Sequence, residues 1–373
     1  MVTGADTVLT ARLAKITDSG RKARCREWVV QFDNSVPDCA ATLFTDLGRS
    51  LATWSGPMDD SHGRRPQRTM MVQTGELSRG SRSGDVLGVY FEAQRNALLQ
   101  HDFPARHDEP DGVHKMRVAT RRLRSALSTF RPVLEHRVTD PVRDELTWLG
   151  GRLGAARDAE VLRDRVLSGL RDDPHGSATG SVSDRIAIEL HADHRVAHDR
   201  LSRTLRSRRY FELLDRLDTM IAELPLTARA EQPAGTVLTG LVRRSYRRLH
   251  RLVMIGPAAF DGAGLDPWFH EIRKASKRLR YAAEALQPAF GEPARAMAGA
   301  AEHLQGILGE HQDSVVAREV LHDIGIRVQD HRDSSATIEL LHAREQARAN
   351  ETAAAFTAAW DAVTDQRLRT WLA

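Results

Sequence analysis

Val113-His114-Lys115-Met116-Arg117-Val118-Ala119-Thr120-Arg121-Arg122-Leu123-Arg124-Ser125-Ala126-Leu127 is the stretch whose reading decides the fold. Wound as a helix at about 100° per residue, it separates into two stripes. Met116, Ala119, Leu123, Ala126, Leu127 and Phe130 form an apolar side fit for a core. His114, Arg117, Arg121 and Arg124 form the opposite side, and Lys115 and Arg122 flank the apolar stripe. From Val113 to Phe130 there is no Asp or Glu. Like charges three or four residues apart on a helix cost roughly 0.2–0.5 kcal/mol per pair, and an ordinary solvated helix interleaves acids to remove that cost. This helix does not, although the chain is close to balance, with 54 Lys+Arg against 50 Asp+Glu. A row of uncompensated guanidinium groups points to a bound polyanion, because the planar fork of arginine donors matches phosphate oxygens.

The row occurs twice. His270-Glu271-Ile272-Arg273-Lys274-Ala275-Ser276-Lys277-Arg278-Leu279-Arg280 repeats it, with one acid, Glu271, beside the histidine. His114 matches His270, Arg117 matches Arg273, Arg121 matches Lys277, and Arg122-Leu123-Arg124 matches Arg278-Leu279-Arg280. Pro132 and Pro288 follow in step, and the offset throughout is 270 − 114 = 156. A second block follows each helix: Leu149-Gly150-Gly151-Arg152-Leu153-Gly154-Ala155-Ala156-Arg157-Asp158 and Leu304-Gln305-Gly306-Ile307-Leu308-Gly309-Glu310-His311-Gln312-Asp313, at an offset of 313 − 158 = 155. Register held to one residue over such a span indicates an internal duplication.

A helix of the form His-x-x-Arg-Val-x-x-(Arg/Lys)-Arg-Leu-Arg, followed by Leu-Gly-x-x-(Arg/Asn)-Asp and repeated once, resembles the CHAD domain, the conserved histidine α-helical domain. The resemblance covers roughly residues 85–373, and the second copy departs from the form at Lys274 and Gln312. It implies an all-α fold of two pseudo-symmetric four-helix bundles. It also implies binding of inorganic polyphosphate in a basic cleft between them. The expected binding residues are His114, Arg117, Arg121, Arg122 and Arg124 on the first signature helix, and His270, Arg273, Lys274, Lys277 and Arg280 on the second. Arg244, Arg247, Arg248 and Arg251 join them, from the acid-free stretch Leu238 to Val253, whose basic side has the same spacing. Asp158 and Asp313 are placed to orient arginines through ion pairs or simply to be solvated. The two motif histidines either pack and cap near helix starts or donate hydrogen bonds to the anion.

Around this centre the chain reads as helical. At 373 residues it is long enough for two or three folding units. Hydrophobic residues make up 41% and aromatics 5%, and Leu, Ala and Arg dominate, as suits packed helices. No apolar run is long enough to span a membrane, and no signal-peptide pattern opens the sequence. Two cysteines, Cys25 and Cys39, imply no disulfide framework, so a reducing cytoplasmic setting is expected, with association to polyphosphate granules. The net charge of +4 is modest, so an anion site must come from arrangement and not from bulk charge.

The expected organisation is an N-terminal segment, 1–80, and a helical domain, 81–373, whose first unit covers about 85–224 and whose second covers about 236–373. In the N-terminal segment Arg26–Asp33 alternates like a strand, Pro37 to Trp54 is patterned as a helix, and Met58 to Gly84 has linker composition. It resembles the last strand and helix of a CYTH (triphosphate tunnel) domain, whose Glu-x-Glu-x-Lys strand is absent. It reads as a short α/β remnant without triphosphatase activity, or as a disordered leader. In the domain itself, helices are expected from Val86, over Val142–Leu153, as one or two over Ile186–Glu223, over Leu238–Val253, and over roughly Pro293–Leu308, Ser314–Val328 and Thr337–Leu372.

Three other functions compete with polyphosphate binding. A nucleic acid is also a polyanion, but few aromatics lie within the basic rows to stack on bases, and no helix-turn-helix pattern is evident. A triphosphatase needs a complete tunnel domain. His191, His194 and His198 share a helix face, yet no carboxylate signature accompanies them, so they are expected to hold no metal. With no nucleophile elbow, P-loop or convincing carboxylate pair, the chain is expected to bind and not to catalyse, without a cofactor.

Overall fold

The computed structural model describes residues 76–171, 181–260, 265–327 and 332–372. The expectations for Arg26–Asp33, for Pro37 to Trp54 and for most of the linker lie outside the described residues. Within them there is no β-strand, and the fold is all-α. Eleven helices are described: α1 Ser83–Gln100, α2 Asp102–Arg106, α3 Gly112–Thr129, α4 His136–Arg171, α5 Ser181–Leu205, α6 Arg208–Ala222, α7 Ala234–Ile255, α8 Leu265–Glu284, α9 Gln287–Phe290, α10 Glu292–Arg327 and α11 Arg332–Thr364. Short 3-10 turns join several of them, and one, Gln366–Leu372, closes the described chain.

The signature helix forms as its spacing predicts. Val113, Met116, Ala119, Leu123, Ala126 and Leu127 are buried on one side of α3. The turn before it is shaped by Asp111, which is left-handed at φ 62°, and by Gly112. A Cβ at Gly112 would stand 2.5 Å from the Pro104 carbonyl carbon, so only glycine lets the start of α3 approach the backbone of α2 this closely. Asp111 stands at the N-cap position, but its side chain makes no capping hydrogen bond.

Two expected helix boundaries are corrected. The helix expected over Val142–Leu153 is part of α4, 36 residues long, and the pair expected over Pro293–Leu308 and Ser314–Val328 is one helix, α10, also 36 residues long. Both helices run on through the glycines of the matched blocks. An interior glycine costs only about 1 kcal/mol relative to alanine, and no proline interrupts either block, so long packed helices absorb it.

α1, α4 and α8 pack against α3 on different sides, while α7 and α10 pack against α8. A single buried cluster runs from Val86 to Leu372 through both halves of the duplication, with Phe91, Leu123, Phe130, Leu149, Tyr210, Leu249, Leu279 and Leu304 among its members. A second cluster, Val166, Ile186, Leu190, Leu321, Ile324, Ile338 and Leu341, joins the far ends of α4, α5, α10 and α11. The starts of α1 and α7 are tied by backbone hydrogen bonds: Ser83 N–H donates to Gln232 O at 2.9 Å, and Ala234 N–H to Ser81 O at 2.8 Å.

Candidate anion-binding seam

The two signature helices, α3 and α8, touch each other, and their basic sides meet along one seam. Arg117 and Arg121 of α3 lie close enough to Arg273 and Lys277 of α8 that these neighbouring cations lower the basicity of Arg117, Arg273 and Lys277. Burial is the largest influence on Arg117, pushing it below the usual guanidinium range. Asp158 opposes that shift, and Arg121, Arg273 and Arg157 add to it. Arg273 is pushed down in the same way, by burial first, with Asp313 and Asp158 opposing and Arg121 adding. Lys277 responds most: burial, then Arg273, Arg121 and Arg117, drive its ammonium down to about 6 against the weaker pull of Asp313. A cluster of mutually repelling, half-desolvated cations is unfavourable alone and becomes favourable only when an anion enters it.

Matched residues make matched contacts. Arg117 lies over α4 at Gly154, where a Cβ would be 3.6 Å from Nη2 and 3.7 Å from Nε. Arg273 lies over α10 at Gly309, where the same atoms would be 3.7 Å and 3.6 Å away. The two glycines leave the guanidinium groups flat against the facing helix. Nε of Arg273 is buried with no hydrogen-bond partner among the described residues. Arg117 Nη2 is 3.4 Å from the exposed carboxylate of Asp158. Asp313 is half-buried, and burial raises its carboxyl against the opposing pull of Arg273 and Arg165.

Tyrosine finishes the seam. Nε of Arg121 donates to the Tyr281 hydroxyl at 2.7 Å, and its guanidinium carbon lies 5.6 Å from that ring's centroid. Arg124 continues the α3 row and reaches over Gly150. Burial and Arg121 lower it, and no ion pair engages it among the described residues. His114 sits beside this row. Burial, then Arg157, hold its imidazole below the ordinary range, which favours the neutral ring there. The matched His270 is held by Gln312, its Nδ1 2.9 Å from Oε1. Since Gln312 matches Arg157, the two histidines face different partners.

Several expected members are already engaged. Nε of Arg122 donates to Glu284 at 2.8 Å, and Arg280 bonds the same carboxylate at 2.7 Å and Glu302 at 2.8 Å. Lys274 is exposed and pairs with Glu271 one turn before it. The acids missing from the rows themselves therefore arrive from the end of α8 and from α10. The structure brings Arg244, Arg247, Arg248 and Arg251 to a different place. They line a cavity of about 740 Å³ with Ser128, Arg131, His136 and Arg278, and none of Arg117, Arg121, Arg273 or Lys277 borders it. Sequence reading missed Arg157, Tyr281 and Arg278 as members of either basic region. Arg157 was within reach as the counterpart of Gln312 at the known offset.

The three histidines of α5 are occupied locally. His194 Nε2 is 2.8 Å from Asp108, His198 Nε2 is 3.0 Å from Ala105 O, and His191 Nδ1 is 2.7 Å from Ala187 O. Among the described residues, no helix is long and apolar enough to cross a membrane.

The family model described as the CHAD domain matches residues 89–322. The uncharacterized proteins MT2285 and Rv2226 of Mycobacterium tuberculosis, strains CDC 1551 / Oshkosh and ATCC 25618 / H37Rv, are each 32% identical over 325 residues. The match covers 86% of this chain and 61% of each relative, so the chain spans about three fifths of the length of these curated relatives. Among solved structures, the CHAD domain from the plant Ricinus communis superposes with a TM-score of 0.63 at 22% identity, covering 82% of this chain and 99% of that one. PptA from Streptomyces chartreusis superposes with a TM-score of 0.60 at 22% identity, covering 75% and 100%. Both are likenesses of fold.

Proposed function

The chain belongs to the CHAD domain family, and from that premise we propose that it binds inorganic polyphosphate along the seam between α3 and α8. The observation that carries the reading is the convergence of Arg117, Arg121, Arg273 and Lys277 on one seam, where burial and the neighbouring cations depress Arg117, Arg273 and Lys277. Successive phosphates of a linear chain neutralise the two matched rows, with Arg124 extending one of them. The flat Arg117 and Arg273 groups offer paired N–H donors to phosphate oxygens. His114 and Arg157 border the site, and Lys277 takes up a proton as the anion arrives. Capture is electrostatic, so affinity falls with salt as counterions cease to be released. No reacting group is needed for this role, and the protein acts as a binding module in a cytoplasmic setting.

A nucleic acid is the competing ligand. The aromatic ring on the seam is Tyr281, already engaged by Arg121, which leaves no platform for bases. Competition tests the choice. Long-chain polyphosphate is expected to displace a bound fluorescent oligonucleotide, with the oligonucleotide unable to displace polyphosphate at equal phosphate concentration. The reverse order of displacement refutes the polyphosphate assignment.

A further inference from the structure

One of the positions at which the two halves differ leaves a second group of cations without acids. In the first half, Arg122 is neutralised by Glu284, to which it donates at 2.8 Å. Its counterpart in the second half is Arg278, and the residue matching Glu284 is 284 − 156 = 128, a serine. Ser128 cannot neutralise Arg278, and its hydroxyl donates to Arg124 O at 3.0 Å. The neighbouring helix deepens the imbalance. α7 places Arg244, Arg247, Arg248 and Arg251 around the same cavity of about 740 Å³. Among the described residues none of these five arginines is joined to a carboxylate. Burial and then Arg248 push Arg278 below the usual guanidinium range. Arg131, also on the rim, is in contrast tied to Asp140 at 2.9 Å.

The remaining lining fixes the ligand's chemistry. Leu134 and Leu241 supply apolar lining, while the hydroxyls of Thr227 and Ser245 donate to backbone carbonyls. No Phe, Tyr or Trp borders the cavity, and its lining is dominated by arginine. The volume is that of a small-ligand pocket, larger than one phosphate requires.

We infer that the cavity between α7 and the ends of α3 and α8 is a second binding site, for a short condensed phosphate of a few units. It goes beyond the seam and stands without it. The arginines at 244, 247, 248, 251 and 278 clamp adjacent phosphoryl groups, and Ser128, by not being an acid, keeps Arg278 free to do so.

Calorimetric titration of the full chain with tripolyphosphate, at low ionic strength, tests it. The wild type is expected to take up two equivalents. Arg248→Glu with Arg278→Glu should remove one, weakening that site about tenfold or more. Ser128→Glu restores the acid that the other half carries and should produce the same loss from a single substitution, with helical circular dichroism intact. Arg117→Glu with Arg273→Glu should remove the other equivalent. If both cavity variants bind with unchanged stoichiometry and affinity, the second site is overturned. If instead the cavity variants lose an equivalent while the Arg117/Arg273 variant loses nothing, the cavity stands and the seam reading falls.

Discussion

Lys277 is a buried ammonium among arginines, and its position carries two consequences. Its pKa of about 6 lies well under the usual 10.5, so across that window the unfolded chain binds a proton that the folded chain does not. Folding stability therefore rises with pH between these values, and the penalty is greatest below about 6. Lys277→Met is expected to raise the melting temperature at neutral pH while weakening polyphosphate binding, the pattern of a residue kept for function against stability. A melting temperature that falls would contradict it. The same group gives binding a pH dependence. A phosphate chain favours the charged lysine, so binding takes up a proton above about 6 and affinity falls as pH rises through and beyond that value. Lys277→Arg keeps the charge and should flatten the profile. At this scale much of the seam was legible: Arg117, Arg121, Arg273 and Lys277 follow from helical spacing and the doubled motif. The engagement of Arg122 and Arg280 was not, because Glu284 lies a turn beyond the motif and is brought to Arg122 only by packing of α8 on α3.

α4 and α10 show what glycine does inside a long helix. Gly151 and Gly306 have nothing within 4 Å of where a Cβ would stand, so Gly151→Ala and Gly306→Ala should each stabilise the fold by about 0.5–1 kcal/mol in chemical denaturation, with binding unchanged. Gly154 and Gly309 are different, since Arg117 and Arg273 rest against them. Gly309→Leu should displace Arg273 and weaken polyphosphate binding, although leucine favours the helix. Binding equal to wild type would show that the flat arginine arrangement is dispensable. The apolar periodicity of α1, α3, α7 and α8 was plain in the sequence because each has one buried stripe. The continuity of α4 and α10 was not, because each changes neighbours along its length. The face that is buried near Leu149 differs from the one buried near Val166, and no single stripe runs through.

Across the whole molecule, the two halves share one buried core, and Arg165 of α4 adds a second tie by bonding Glu345 at 2.6 Å and Glu310 at 2.8 Å. Arg165 and Glu345 are nearly buried, at 11% and 8% exposure. Arg165→Ala leaves Glu345 with Arg348 as a remaining partner, so a loss of about 2–3 kcal/mol is expected, at or below the range for breaking a buried pair. That cross-link was invisible in the sequence, since its residues lie in different helices with no local pattern joining them. The duplication itself was visible, and with it the all-α fold and the pairing of the basic rows. The separation of the α7 arginines from those rows was not, because helix spacing gives a face but not what the face meets. The most direct test of the account measures polyphosphate affinity at graded salt for the wild type and for Arg117→Gln with Arg273→Gln. The account predicts a steep fall of log affinity with log salt in the wild type and a slope shallower by about 1.4 in the variant, two phosphate contacts having been removed. Equal slopes and equal affinities for the two proteins would contradict it.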